Sequence, residues 1–290
     1  MPPSQTFLHD NIHIAYTVSG RGPALILLHG WPFHKASFRK LLPLLEAHYT
    51  CYALDAAGMG ESGWSANTDF SFQAHAERVI AFADHMGISR YSVAGHDTGG
   101  TIARMLAVSD AARVDKVIAI DTEVPGHLPN AVPKLQKMFR KPLGRAIFKG
   151  LLSSKMIMRF WLGRTGFFSD NRLLDKEYMA LFVSSWLRTD HAYRGLLNYL
   201  LGVDHSLVER LDELHAQIKV PLLFIWGEQD GVFPVRRAHD MMAHLGPNAD
   251  LAVIEGAAFL PQEEKPERVA REILDFLAFS PPVRLASENR

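Results

Sequence analysis

The stretch Gly95-His96-Asp97-Thr98-Gly99-Gly100 sets a carboxylate between glycines with the spacing G-x-Asp-x-G. It lies between an apolar run, YSVAG, and a helix-forming run, TIARMLAVS. This predicts a turn so tight that side chains beside Asp97 would clash, with the strain holding Asp97 above the end of a strand. A helix starting at Thr98 would aim its free amides at the same spot and favour an anion there. A carboxylate needs no deprotonation to attack an sp3 carbon in line, expelling a leaving group and leaving an alkyl ester on the chain. A base is needed only afterwards, to activate water against that ester. Ordinary ester hydrolysis suits this residue poorly, because carboxylate attack on an ester gives only an anhydride. The competing reading is a helix N-cap aspartate in a glycine-rich turn.

Other loops carry residues of matching use. His29-Gly30-Trp31-Pro32 follows the run ALILL, where a backbone amide would complete an oxyanion site. Asp55-Ala56-Ala57-Gly58-Met59-Gly60-Glu61-Ser62 follows the next apolar run as a glycine turn. Gly227-Glu228-Gln229-Asp230 follows VPLLFIW and sets a carboxylate at a strand's C-terminal end, where open α/β sheets keep their sites. Asp121 ends VDKVIAI; it is a further acid candidate or a strand-end cap. Of the fourteen histidines, His205, His215, His239 and His244 read as exposed or capping residues.

The elements that must hold these loops alternate. TFLHDNIHIAYTVSG reads as a hairpin around Asp-Asn, and ALILLH, YTCYALD, YSVAG and VDKVIAID read as short buried strands. Helices are expected at 36–47, despite an internal proline, at 71–86 and from TIARMLAVS. The rhythm breaks after Asp121: from about 123 to 215 the pattern is helical, rich in Met and Phe, and basic in its first part. Alternation resumes with VPLLFIWG, helix 235–245, NADLAVIEG and helix 266–279, and 280–290 reads as a tail. These patterns predict an α/β protein, a mostly parallel sheet with helices on both faces, with core segments 1–122 and 216–279 and a helical insert at 123–215.

Composition narrows the partners. The chain has 290 residues, 31 basic against 31 acidic, and no excess of positive charge for phosphates. No apolar run approaches the roughly 18 residues of a membrane span. The start lacks a basic segment followed by an apolar one, so a cytoplasmic location is expected. The single cysteine, Cys51, excludes an intramolecular disulfide and a cysteine zinc cluster. A small-molecule substrate is expected, with no nucleic-acid or membrane partner; no oligomeric state is read.

Taken in order, H-G-W-P, D-x-x-G-x-G-x-S, G-H-D-x-G-G and W-G-x-x-D resemble the α/β-hydrolase fold family over roughly residues 5–279. With aspartate at the elbow, the chain looks like the branch holding epoxide hydrolases, haloalkane dehalogenases and haloacetate dehalogenases. The resemblance implies Asp97 as nucleophile, the amides of Trp31 and Thr98 as oxyanion hole, and Asp230 as the acid orienting a histidine, with Asp121 in the alternative place for that acid. It implies a cap at 123–215 and no cofactor or metal. A pocket of roughly a few hundred cubic ångströms is expected over Asp97, lined by Trp31 and aromatic side chains from 135–200.

The chain departs from the family at Glu255-Gly256-Ala257-Ala258-Phe259-Leu260-Pro261-Gln262-Glu263, where Ala258 stands in the place of histidine while the flanks are intact. Either a His-to-Ala replacement stalls the second step, or the chain is a degenerate or differently catalytic member. For the leaving group, Tyr199 resembles a proton-donating cap tyrosine but falls one residue early, with Leu200 in its register. Trp31, Trp161 and Trp186 could supply an indole N–H. The expected function is therefore hydrolysis of a carbon–halogen or epoxide bond through an Asp97 ester. A silent relative acting as a small-molecule receptor, and a Ser-type esterase with engineered changes, are the alternatives.

Overall fold

Asp10 and Asn11, with φ of 50° and 58°, turn β1 (Gln5–His9) back into β2 (Ile12–Gly20) as the expected hairpin. The strands that follow are β3 (Ala24–Leu28), β4 (Thr50–Leu54), β5 (Tyr91–His96), β6 (Val114–Ile120), β7 (Leu222–Gly227) and β8 (Ala249–Ile254). They form one eight-stranded sheet in the order β1-β2-β4-β3-β5-β6-β7-β8, antiparallel at β1-β2 and β2-β4 and parallel elsewhere. Every residue of β5 and of β7 is buried, as continuous apolar runs in a doubly covered sheet require. The computed structural model describes residues 1–278, except for the side chains of Asp175, Lys176 and His205, so the expected tail at 280–290 lies outside the described residues.

The helices, in chain order, are α1 (Leu42–Leu45), α2 (Phe72–His85), α3 (Thr98–Ser109), α4 (Ala131–Phe139), α5 (Pro142–Ser153), α6 (Lys155–Leu162), α7 (Ser184–Trp186), α8 (Asp190–Gly202), α9 (His205–Glu209), α10 (Leu211–Gln217), α11 (Val235–Met242), α12 (Pro261–Glu264) and α13 (Pro266–Ala278). The Ser71 hydroxyl caps α2 by accepting from the Ala74 N–H at 3.2 Å. The helix expected over 36–47 is instead a 3-10 turn, Lys35–Phe38, followed by α1. Pro43, in the first turn of α1, has no N–H to continue a longer helix. One face of the sheet buries Phe82, Ile102 and Leu106 from α2 and α3. The other buries Leu42 and Leu45 from α1 with Val269 and Ile273 from α13. Both faces are thus covered by helices.

Between β6 and β7 the described residues hold helices, a π-helix (Leu174–Val183) and one isolated bridge between Val124 and His127, but no strand. The boundary expected at 215/216 falls inside α10, which packs on α3. His215 is therefore buried rather than exposed, with Nε2 2.9 Å from Arg104 Nη1. Burial lowers its pKa to about 3, so a neutral ring accepts from the guanidinium. His239 and His244 are exposed as expected. Among the described residues, no helix is long and apolar enough to cross a membrane.

The chain leaves β3 toward β4 on one side and returns to β5 on the other. The strand order reverses there, and such a switch point opens a crevice beyond the carboxyl ends of β3 and β5. His29–Trp31 and Asp97 lie at those two ends.

Candidate active site

Asp97 follows β5 with φ 53° and ψ −128°, a strained conformation for a residue with a side chain. The neighbouring glycines make it possible. A Cβ at Gly95 would sit 2.0 Å from the Gly99 carbonyl oxygen, and one at Gly99 would sit 2.2 Å from that of Leu28. The Gly100 N–H and the Thr122 hydroxyl each donate to the Asp97 carbonyl at 2.8 Å, which fixes the turn. The loop after β3 comes so close that a Cβ at Gly30 would lie 2.3 Å from Asp97 Oδ2. That approach lets the Trp31 N–H donate to Oδ2 at 2.8 Å. His29 steadies the same loop, its Nδ1–H donating to the Gly30 carbonyl while Nε2 accepts from the Ala56 N–H, each at 2.9 Å. Burial lowers the His29 pKa to about 4, consistent with that neutral ring.

Two effects oppose each other at Asp97. Burial and the nearby charge of Glu123 push its carboxyl well above the usual range, while the N–H and hydroxyl of Thr98 and the N–H of Trp31 pull it down. The upward push wins. The Thr98 and Trp31 amides thus converge on this carboxylate, and a negative charge on it is stabilised by amides and little by water.

Asp121 and Asp230, which the sequence offers as alternatives, come together. Asp121 Oδ1 accepts from the Gly227 N–H at 2.9 Å, and Asp230 Oδ1 accepts from the N–H groups of Val232 and Phe233 at 2.7 and 3.0 Å. Each Oδ2 is buried and meets no other donor of the protein. The two carboxyls hydrogen-bond to each other when one carries a proton; burial, and after it the charge of an ionised Asp230, push Asp121 well above the usual carboxylate range, so the shared proton rests on Asp121. Burial pushes Asp230 itself up to about 7. Ala258 is buried beside this acid loop: its carbonyl would lie 1.9 Å from a Cβ at Gly227, and the Gln229 N–H donates to the Ala257 carbonyl at 2.8 Å. A methyl group offers these carboxyls no donor.

A cavity of about 410 Å³ lies over Asp97, lined from below by Trp31, Thr98 and Phe259 and from the helical segment by Leu135, Trp161, Phe167 and Leu200. The expected size and aromatic lining are both present. Polar residues in the cavity wall and behind it escaped the sequence reading. Glu123, 4% exposed, lines the cavity, and its Oε2 accepts from the Thr101 hydroxyl at 2.6 Å and lies 3.0 Å from the Thr122 hydroxyl oxygen. Fully buried Arg104 donates to those two hydroxyls at 2.7 and 3.0 Å and to the Glu123 carbonyl at 2.9 Å. The signals were a cation inside the apolar helix TIARMLAVS and a second carboxylate just past Asp121. His127 lines the cavity too, but its Nε2 is buried and does not open onto that space.

The leaving-group candidates fare differently. The Tyr199 hydroxyl is 2.9 Å from Thr98 Oγ1 and its ring lies tilted against that of His75, 4.7 Å between centres, outside the cavity wall; Leu200 lines the cavity instead. One residue is about 100° around a helix, so the register offset turns the hydroxyl away. The indole N–H of Trp186 donates to the Pro32 carbonyl at 2.6 Å, and that of Trp31 to the Leu196 carbonyl at 2.8 Å. Neither is open to a leaving group here. Trp161 lines the cavity and is partly exposed.

This topology and turn agree with comparison to known proteins. Residues 23–266 match the α/β hydrolase fold family, and the chain belongs to that family. It is similar to epoxide hydrolase 1 of Caenorhabditis elegans, 24% identical over 92% of this chain and 67% of that protein. It is equally similar to haloalkane dehalogenase 2 of Mycobacterium bovis, 24% identical over 94% of each chain. Among solved structures, the epoxide hydrolase CorEH without ligand superposes with a TM-score of 0.80 at 20% identity, over 95% of this chain and 98% of that one. The chain is thus an α/β-hydrolase with distant epoxide hydrolase and dehalogenase relatives.

Proposed function

We propose that this hydrolase opens a carbon–halogen or epoxide bond of a small organic molecule through an ester on Asp97. The observation that carries the reading is an ionisable carboxylate on the strained turn after β5, held by the Trp31 amide at the floor of the cavity. One carboxylate oxygen attacks the sp3 carbon; the carbon–halogen or carbon–oxygen bond breaks, and its electron pair leaves with halide or alkoxide. Water then adds to the Asp97 carbonyl carbon, and the amides of Trp31 and Thr98 receive the oxyanion. That second step needs a base to take the water proton. Asp230, with Asp121, would orient an imidazole at position 258, and Ala258 leaves the ester without one. We read the helical segment between β6 and β7 as the cap that keeps bulk water off Asp97.

Ala258, together with acid oxygens that meet only each other, also favours a second reading, a silent relative that binds a small molecule in the same cavity. The Ala258→His variant separates the two. Assayed on haloalkanes, haloacids and epoxides, it should release halide or diol roughly 10²- to 10⁴-fold faster than the unaltered chain, the usual worth of a positioned base. An Ala258→His variant inert on all three classes favours the receptor.

A further inference from the structure

Seven of the nine large apolar side chains exposed among the described residues lie between Leu143 and Trp161, on α5 and α6. In α5 the residues Gly144, Phe148 and Leu152 recur every fourth place and are buried, with Phe148 packed against Phe139 at 4.7 Å between ring centres. The core-facing stripe is thereby complete. Leu143, Ile147 and Leu151 form a second stripe at the same spacing, 72%, 50% and 38% exposed. In α6, Met158 and Leu162 turn inward while Met156 and Phe160 stand out at 78% and 67% exposure. Soluble helices carry one apolar face; these two carry one more than the fold uses.

Charge states what the extra face suits. Residues 124–169 contain no Asp or Glu, yet nine Lys and Arg fall between 134 and 164, in a chain whose total charge is zero. Lys134, Lys137, Arg140 and Lys141, all exposed, precede the apolar stripe, on α4, which packs on α5, and at the α4–α5 junction. We infer that the α4–α6 face docks on an anionic lipid surface, with the apolar side chains entering the interface and the cations reaching the headgroups. A second copy of the chain is a poor occupant, because it would bring the same positive charge face to face. A nucleic acid would use the cations and leave the protruding Leu143, Ile147, Met156 and Phe160 without contacts. The helices are too short to span a bilayer and would lie in its surface. Trp161 and Arg164, at the end of this face, also line the cavity over Asp97, so docking would turn the cavity wall toward the lipid. This proposal runs against the sequence expectation of no membrane partner and is independent of the chemistry at Asp97.

Sedimentation of the whole protein with vesicles tests it. Phosphatidylcholine vesicles containing about 30% phosphatidylglycerol should bind at least about 10-fold more protein than phosphatidylcholine alone, with binding falling as salt rises. Trp161 fluorescence should shift to the blue on binding, and Trp161→Phe should remove that shift. Ile147→Glu with Phe160→Glu, and separately Lys137→Glu with Lys141→Glu, should each lose binding while keeping the parent's circular dichroism; if either pair misfolds, the salt dependence and the Trp161 shift of the unaltered chain decide. Failure of the unaltered chain to bind anionic vesicles overturns the inference. So does self-association that Phe160→Glu abolishes without any vesicle binding, or binding of an oligonucleotide in place of vesicles.

Discussion

Two carboxyl sites stand at neighbouring strand ends, and their partners differ. Asp97, after β5, receives the amides of Trp31 and Thr98 and the Thr98 hydroxyl. Asp121 and Asp230, after β6 and β7, spend one oxygen each on amides and turn the other toward a carboxyl. The first site is supplied with donors where charge and an oxyanion would form. The second shares a proton because it has no other donor. At Asp97 three donors face a carboxyl that burial still drives above the usual range, whereas the second oxygens of the acid pair meet only each other; under the proposed function, position 258 is where an imidazole would answer them.

The contrast can be broken most severely at Asp97. Asp97→Asn should lower alkylation by at least about 10³-fold with the thermal midpoint nearly unchanged, provided mass spectrometry shows that the amide has not deamidated. Retained halide or diol formation would remove Asp97 from the chemistry.

The next effect concerns which acid serves the restored base. In the Ala258→His background, Asp230→Asn should cost roughly 10²- to 10⁴-fold in turnover, because the imidazole loses the group that fixes its tautomer. Asp121→Asn should cost less. The reverse order would assign the orienting role to Asp121.

A smaller effect is one of stability in the unaltered chain. The pair holds a proton in the folded state that the unfolded chain releases above about pH 4. The Asp230 contribution is therefore full below about pH 4 and is lost as pH rises through about 7, while Asp121, raised well above the usual carboxylate range, retains its proton beside the ionised Asp230. Asp121→Asn keeps a donor and cannot ionise. Urea midpoints should show the parent losing on the order of 2 kcal/mol relative to this variant between pH 4 and 8. Parallel pH profiles would mean that the two carboxyls do not share a proton.

The smallest shift sharpens the Asp97 side. After burial, the charge of Glu123 raises the Asp97 pKa, so Glu123→Gln should move the rising limb of alkylation rate against pH to lower pH. An unmoved limb would mean that burial alone raises Asp97.

Much of this was legible in the chain because local chemistry fixes it. The G-x-Asp-x-G spacing announces a turn that only glycines allow, and continuous apolar runs such as LLFIW announce a strand buried on both faces. Pro43 was visible but discounted, and the helix expected over 36–47 broke there. What stayed hidden depends on contacts distant in sequence. Nothing near Tyr199 says that its hydroxyl turns to Thr98, and nothing near Trp186 says that its N–H meets Pro32. The meeting of Asp121 with Asp230 follows from β6 pairing with β7, a choice made by the whole sheet. Arg104 and Glu123 carried a signal, polar residues in apolar surroundings, that only the packing of α10 and β6 turned into a network.

The central claim is that Asp97 reacts and Ala258 prevents release. Incubating the unaltered protein with a panel of haloalkanes, haloacids and epoxides, followed by intact-mass and peptide mass spectrometry, tests both halves together. The account predicts one stable mass increment per chain for a true substrate, located on the peptide carrying Asp97, with no more than one equivalent of halide released and no diol. Continuous release of product with Ala258 in place, or an increment on any residue other than Asp97, would contradict it.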